Sequence, residues 1–334
     1  MKISASIYSN NQTPLEELVR DLDAHGIDML HVDCADNEKV FEDIARIRKV
    51  SSTPIDLHII SPEPEKYFQK IEELKIEFVS FQYENLKQIP VLPQSSFTRF
   101  GLSIVSATPI DVFEKAKDNF DFVMLMSTVP GQSGGEFNRE SFQKVVDFKN
   151  RFPETRIQVD GGVNDEVAYI LRLLGVHAIV SGSYLMNHQS LSAGMLSFHQ
   201  SSKRHSRFKI GEFATPVKYL PVIRKTDLSF RAALETIEKF GLGFVLLTDD
   251  AGKLSGVITN ADIRRGLLKH PGDLNKVYAA DLVNAKPVFV HETSSVADML
   301  RLLNELNFIV LFLPVTDQKN ILKGAVLLNN LIRV

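Results

Sequence analysis

The sequence is poor in the features that mark secreted, membrane-spanning or nucleic-acid-binding chains. Its 334 residues include one cysteine, Cys34, so no internal disulfide and no multi-cysteine metal site can form. A reducing compartment is implied, and any metal must be held by histidines and carboxylates. No apolar stretch approaches the ~20 residues that cross a bilayer; the longest lies around Phe308 to Val315. The opening MKISASIYSNNQ lacks the apolar core of a signal peptide, so a cytoplasmic location is expected, with no membrane partner. Neither sign of charge dominates. Lys+Arg number 38 and Asp+Glu 41, a net charge of -3, which supplies no basic field for nucleic acid or an anionic membrane.

What is present is globular. A hydrophobic content of 44% and a charged content of 24% exclude disorder and fibrous architectures. At roughly 150 residues per domain, the length suggests two domains.

Up to about residue 190, short β-rich runs alternate with longer amphipathic stretches. The runs are Ile3–Tyr8, Met29–Cys34, Ile55–Ile60, Phe78–Tyr83, Arg99–Val105, Phe122–Ser127, Arg156–Asp160 and Ala178–Gly182. Apolar positions three and four apart predict helices over Pro14–His25 (with Thr13 as N-cap), Val40–Val50, Pro64–Leu74, Pro109–Asp118, Arg139–Arg151 and Asp165–Leu174. The remaining crossover, Asn85–Gln94, carries the weakest helical pattern. Eight strands each followed by a helix, in about 200 residues, match a small (β/α)8 TIM barrel, because parallel strands need crossovers and an eight-unit ring closes. An open doubly wound sheet is the alternative.

Gln200–Phe213 (QSSKRHSRFKIGEF) is polar and basic and reads as a linker. Beyond it the order Pro221-Val222-Ile223, helix through Ala232–Phe240, strand Phe244–Thr248, turn Asp249–Gly252, strand Leu254–Thr259 repeats. The second copy, about 66 residues on (221 to 287), runs Pro287–Val290, Val296–Leu306, Ile309–Val315, Asp317–Asn320, Leu322–Leu327. Two copies suggest a pseudo-twofold pair burying its sheets against each other. The expected organisation is a barrel over residues 1–200, a linker over 201–213 and a paired module over 214–334, its repeats at about 214–270 and 280–334.

In such a barrel the chemistry sits where strands end. The second run ends in His31-Val32-Asp33, the third in Asp56-Leu57-His58 and the seventh in Asp160-Gly161-Gly162. Alternation points His31 and Asp33 to one face. Two histidines and two carboxylates there suit zinc, manganese or iron(II), with room left for substrate. Glycines follow the later runs, in Pro130-Gly131-Gln132-Ser133-Gly134-Gly135, Gly161-Gly162 and Ser181-Gly182-Ser183. Backbone N–H groups there can approach an anion, which implies a phosphorylated small molecule.

HVDCAD (31–36), DLHII (56–60), MSTVPGQSGGEF (126–137), QVDGGV (158–163) and VSGSYLM (180–186) resemble the ribulose-phosphate 3-epimerases, over nearly all of residues 1–190. The resemblance implies a divalent metal held by His31, Asp33, His58 and Asp160, with Asp33 and Asp160 as the acid/base pair. It further implies phosphate contacts near Gly134, Gly162, Gly182 and Ser183, and substrate contact by Ser6. The chain departs from the family pattern at several places. Ala35 and Ile60 stand where methionines are usual, leaving Met126; Gln82-Tyr83-Glu84 replaces His-x-Glu; Gly135-Glu136 replaces Gly-Gln. The loop Gly-x-Phe-Val-Pro-Asn after the second strand is missing, Asp36-Asn37 running straight into the helix.

The repeats resemble a pair of α+β CBS domains, with Gly256-Val257-Ile258-Thr259-Asn260-Ala261-Asp262-Ile263-Arg264-Arg265 as the strongest mark. That ending is most like the CBS pairs attached to arabinose-5-phosphate isomerases. The resemblance implies that Thr259 and Asp262 bind an adenine nucleotide or a nucleotide-sugar, and that the chain forms a homo-oligomer. Read from the residues alone, Thr259 and Asp262 also suit a helix cap. The expected function is metal-dependent 3-epimerisation of a ketose phosphate, ribulose 5-phosphate to xylulose 5-phosphate, regulated by a ligand on the CBS pair. The alternatives are a degenerate sugar-phosphate sensor with CBS output and an epimerase for a hexulose 6-phosphate.

Overall fold

Each of the eight β-rich runs forms a strand: β1 (Lys2–Ser6), β2 (Met29–Cys34), β3 (Ile55–Ile59), β4 (Phe78–Gln82), β5 (Arg99–Val105), β6 (Phe122–Met126), β7 (Arg156–Asp160) and β8 (Ala178–Ser181). All eight pair in parallel and in order, and β1 pairs with β8 to close the barrel. The open sheet is therefore excluded. This computed structural model describes residues 1–10, 12–188, 190–199, 206–270 and 276–331. The chain divides into two compact units between residues 202 and 203.

The crossovers of the first unit carry α1 (Leu15–Ala24), α2 (Lys39–Ile47), α3 (Phe68–Glu73), α4 (Asp111–Glu114), α5 (Glu140–Arg151), α6 (Asp165–Leu173), α7 (Ser183–Met186) and α8 (Leu191–His199). α1, α2, α5 and α6 each bury an apolar stripe, as α2 does with Val40, Phe41, Ile44 and Ile47. Two expectations fail. Thr13 does not cap α1: Pro14 holds that position without a side-chain hydrogen bond, and Thr13 is tied to Asn10 instead. Between β4 and β5 there is one short turn, Tyr83–Asn85, and then neither helix nor strand up to Arg99. Pro90 and Pro93 lack the N–H that a helix ladder needs.

The outward side chains of the barrel make its main core. Leu30, Val32, Leu57, Ile59, Val79 and Phe81 are all fully buried under the helices. The inward layer is polar at its upper end, where the registers Ser6↔His31, His31↔Asp56, Asp33↔His58 and Met126↔Asp160 set these residues on one face. Beside them, Met124, Met126 and Val180 with Val105 form a small apolar cluster.

The second unit contains β9 (Thr215–Pro216), β10 (Val222–Arg224), α9 (Phe230–Phe240), β11 (Phe244–Thr248), β12 (Leu254–Thr259), α10 (Asn260–Lys269), β13 (Val290–His291), α11 (Val296–Glu305), β14 (Phe312–Thr316) and β15 (Leu322–Leu327). In each repeat the first two strands pair in parallel and the last two antiparallel. The repeats form sheets ordered β10-β11-β12 and β13-β14-β15-β9. Alternation along β11 divides its work: Val245 and Leu247 face the helix side, while Phe244 and Leu246 join Leu322 and Ala325 between the sheets. Phe244 stacks on Phe312 with ring centroids 3.7 Å apart. The two turns answer each other, Leu254 N donating to Asn320 O and Leu322 N to Gly252 O. The stretch read as a linker is only partly one. Residues 200–205, including the Lys203-Arg204-His205 cluster, lie outside the described residues, but Phe208, Ile210 and Phe213 are buried in the second unit. Ile210 N and Gly211 N bond to Ser294 O and Glu292 O; the three apolar residues outweigh the polar composition around them.

Replacing Phe244 by alanine removes one half of the stack between the repeats. A loss of about 3–5 kcal/mol in unfolding free energy is expected, read from the denaturant midpoint. A loss under about 1 kcal/mol would show that the stack does not hold the pair together.

Candidate active site

β2 and β3 deliver four polar side chains into the barrel mouth, and their pairing decides who meets whom. His31 Nδ1 lies 2.9 Å from Asp56 Oδ2. A carboxylate can only accept, so Nδ1 carries the proton and, in the neutral ring, Nε2 is bare. That Nε2 is buried without a hydrogen-bond partner. It faces Asp33 Oδ1 at 3.4 Å and Asp160 Oδ2 at 3.8 Å. His58 repeats the arrangement: Nε2 is 2.8 Å from Gln82 Oε1 and Nδ1 is 3.1 Å from Asp33 Oδ1. Two ring nitrogens thus point at carboxylates, an approach that a ring proton or a bound cation would satisfy. The nitrogen and oxygen donors fit zinc, manganese or iron(II), and the outer hydrogen bond on each imidazole is the support that metal-ligating histidines ordinarily have.

His31, Asp33 and His58 present ligand atoms within 4.8 Å of one another. Asp160 is not in that group of three; it comes from β7, with β8 and β1 between it and β2, and reaches the site through His31 Nε2.

The electrostatics separate the two carboxylates. Burial opposes ionisation of Asp33, but His31 and His58 together outweigh it and hold the group well below the usual carboxylate range. Burial pushes Asp160 up to about 6, opposed by His31 and reinforced by Asp33. Burial disfavours the charged form of His31, yet Asp56 and Asp33 reverse this and raise it well above an ordinary histidine. One carboxylate is shifted toward the ionised form and the other toward the protonated form, the division that an acid/base pair uses.

Four further loops meet at one edge of the mouth. Ser9 donates to Ser6 Oγ at 3.2 Å and lies 2.9 Å from Ser133 Oγ, joining the loop after β1 to that after β6. A Cβ on Gly182 would fall 2.1 Å from Ser9 Oγ, and one on Gly162 only 2.3 Å from Phe137 N. Gly162 also has φ +67°, in the left-handed region. The structure therefore gathers Ser6, Gly162, Gly182 and the start of α7 at Ser183, with Gly134 next to Ser133 in the same loop. Ser9 was not singled out in the sequence, and Ser133 only as part of the run Pro130–Gly135.

After β2 the shortened loop is tied down rather than left open. Asp36 adopts φ +55° and its Oδ1 accepts from Ser61 Oγ, Tyr67 Oη at 3.0 Å and Lys66 Nζ at 2.7 Å. The Lys66 ammonium is the largest cause holding this carboxyl down at about 2.

Supporting residues were missed as well. Asp56 Oδ2 also accepts from Ser4 Oγ at 2.8 Å and from Gln158 Nε2, and Gln82 stands behind His58. Their signal was in the strands, since Asp56 shares the parity of His58 and Gln158 that of Asp160. In the second unit, Thr259 and Asp262 make a reciprocal cap at the start of α10: Thr259 N donates to Asp262 Oδ2 at 2.8 Å, and Asp262 N to Thr259 Oγ1 at 3.4 Å. Arg265 pairs with the remaining Asp262 oxygen.

Fold and site together define a (β/α)8 barrel with an imidazole–carboxylate centre at its strand ends, joined in one chain to a paired α+β module. Residues 2–186 match the ribulose-phosphate 3 epimerase family, and residues 214–269 and 279–334 match the CBS domain. The chain belongs to the ribulose-phosphate 3-epimerase family and carries a CBS domain pair. It is 27% identical over 197 residues to a ribulose-phosphate 3-epimerase of Bacillus subtilis, covering 55% of this chain and 91% of that protein. A chloroplastic ribulose-5-phosphate-3-epimerase of Arabidopsis thaliana is 29% identical over 196 residues, covering 54% and 70%. Among solved structures, CBSX2 in complex with AMP is 28% identical and covers 38% of this chain and 94% of that one, at a TM-score of 0.32. No helix among the described residues is long and apolar enough to cross a membrane.

Gly162→Ala would place a methyl group against the Glu136–Phe137 backbone in a strained conformation. It is expected to cost about 1–3 kcal/mol, read as a lowered melting temperature. An unchanged melting temperature would show that the two loops part freely.

Proposed function

We propose that the barrel interconverts ribulose 5-phosphate and xylulose 5-phosphate by moving the proton at C3. The observation that carries this reading is the approach of two carboxylates, Asp33 and Asp160, to the single buried atom His31 Nε2. In one direction an ionised Asp takes the C3 proton, the C–H electron pair moving toward the neighbouring carbonyl. The other Asp, protonated, returns a proton to C3 from the opposite face. In the reverse direction the roles exchange. His31, Asp33, His58 and Asp160 would hold a divalent cation. When bound, it supplies electrostatic stabilisation for the charge developing on the substrate oxygens. Backbone N–H groups near Gly134, Gly162, Gly182 and Ser183 hold the phosphate, with Ser6 against the sugar.

For the CBS pair, the reading is that an adenine nucleotide or nucleotide-sugar binds at Thr259 and Asp262 and tunes the barrel. Only the first repeat has this hydroxyl and carboxylate; the second has Leu327 and Asn330 at the matching positions.

The full-length protein, supplied with zinc, manganese or iron(II), is expected to convert ribulose 5-phosphate in a coupled assay for xylulose 5-phosphate. Chelation should abolish turnover and metal should restore it. Asp160→Asn and Asp33→Asn should each lower kcat/KM roughly 100- to 10,000-fold. No turnover of any ketose phosphate in the metal-supplied protein would remove the reading. Adenine nucleotides should raise the melting temperature in a concentration-dependent way, and Thr259→Val should abolish that rise. A rise that persists in the variant would place the ligand elsewhere.

A further inference from the structure

Where its strands begin, at the end opposite the candidate active site, the barrel has a second opening, and a cavity of about 180 Å3 lies there. Its wall is apolar. Met29, Phe122, Ile157 and Ala178 line it and are buried, and Phe78 meets Phe122 edge-on with ring centroids 6.3 Å apart. Gly101 lets the Phe122 ring lie against β5, since a Cβ at that position would fall 2.3 Å from the ring. The rim is cationic. Strand pairing sets Lys2 beside Ala178 and Arg156 beside Phe122; both side chains are exposed, and among the described residues neither charged group has a hydrogen bond or an ion pair. Arg99 and Asp121 pair with each other at 3.3 Å, so Lys2 and Arg156 are left facing one further carboxylate of the lining, Glu154. Half-buried His177 registers the surplus: burial first, and then the charges of Arg156 and Lys2, hold its imidazole below the usual histidine range.

An apolar wall beneath an unpaired cationic rim is explained neither by packing nor by pairing, and it matches one chemical class of ligand. We propose that the foot of the barrel is a second binding site, for a small aromatic carboxylate whose ring enters among Met29, Phe78 and Phe122 while its anion meets Lys2 and Arg156. The two phenyl groups suit a ring by edge and face, and the guanidinium suits a carboxylate by charge-assisted hydrogen bonds. At about 180 Å3 the cavity is smaller than those that hold drug-sized ligands, which leaves room for one ring and not for a nucleotide. One side chain connects it to the candidate active site. Gln158, one inward position above Arg156 on β7, lines the same cavity, is 5% exposed and donates through Nε2 to Asp56, the acceptor beside His31 Nδ1. The site uses no residue of the proposed epimerase chemistry and stands apart from that reading.

The test uses the full chain with 15N-labelled histidine and benzoate as the probe. Benzoate is expected to bind with a dissociation constant on the order of 1 mM and to move the His177 imidazole signals, which are assigned by their loss in His177→Gln. Benzyl alcohol keeps the ring without the charge, and acetate keeps the charge without the ring; each should bind at least about 10-fold more weakly. Lys2→Gln combined with Arg156→Gln, made at exposed side chains, should weaken benzoate by about 10-fold or more, and Arg156→Gln alone decides the matter if the double variant does not fold. Acetate binding as well as benzoate would reduce the site to a charged surface and overturn the proposal. So would benzoate affinity equal to wild type in the variants, or signals of His177 that stay still up to about ten times the expected dissociation constant. Movement of the His31 and His58 signals without those of His177 would put the probe at the candidate active site and likewise overturn it.

Discussion

The mouth of the barrel depends on the need to neutralise carboxylates that three strands place in nearly dry space. Asp56 is 0% exposed, and one of its oxygens serves Ser4, His31 and Gln158 while the other has no partner. Asp33 and Asp160 stand above it, partly exposed. Charges in such surroundings are costly unless paired. Each imidazole is therefore wedged between an outer acceptor and an inner carboxylate, and its orientation is decided before any ligand arrives. Preorganisation of this kind is what electrostatic catalysis requires, since groups that need not turn during a reaction spend no energy in turning.

The parts of this arrangement differ in how far they can be read from residues in order. Eight short β-rich runs with crossovers predict a closed parallel barrel because the ring is the only way for eight such units to lose both edges. His31, Asp33, His58 and Asp160 are legible because they are polar residues at the ends of otherwise apolar strands, where a buried charge has no structural use. Asp56 and Gln82 are equally polar, but their roles exist only across strands. Which nitrogen of His58 meets Gln82 depends on the stagger between β3 and β4, and that is a property of the assembled ring. The proline-interrupted stretch before β5 and the buried half of the expected linker show the reverse error. Overall polarity hid Phe208, Ile210 and Phe213, whereas periodicity suggested a helix that Pro90 and Pro93 forbid.

The loops around the site lean on each other more than on the barrel. The hydroxyls of Ser6, Ser9 and Ser133 join the first loop to the sixth, and Gly162 lets the seventh approach the sixth at backbone contact. On the opposite side, Asp36 replaces a longer segment with a single left-handed residue whose carboxylate gathers Ser61, Tyr67 and Lys66. A shorter loop loses less conformational freedom on folding, and this one is pinned by charge-assisted hydrogen bonds instead of by its own side chains.

In the second unit, Thr215–Pro216 opens the first repeat but hydrogen-bonds to Leu322–Leu327 at the end of the last. The chain thus fastens its own beginning of that unit onto its end, like a clasp. Neither repeat could be excised as a module: a cut between them would strip the border of the four-stranded sheet and bare its unpaired amides to any other chain nearby.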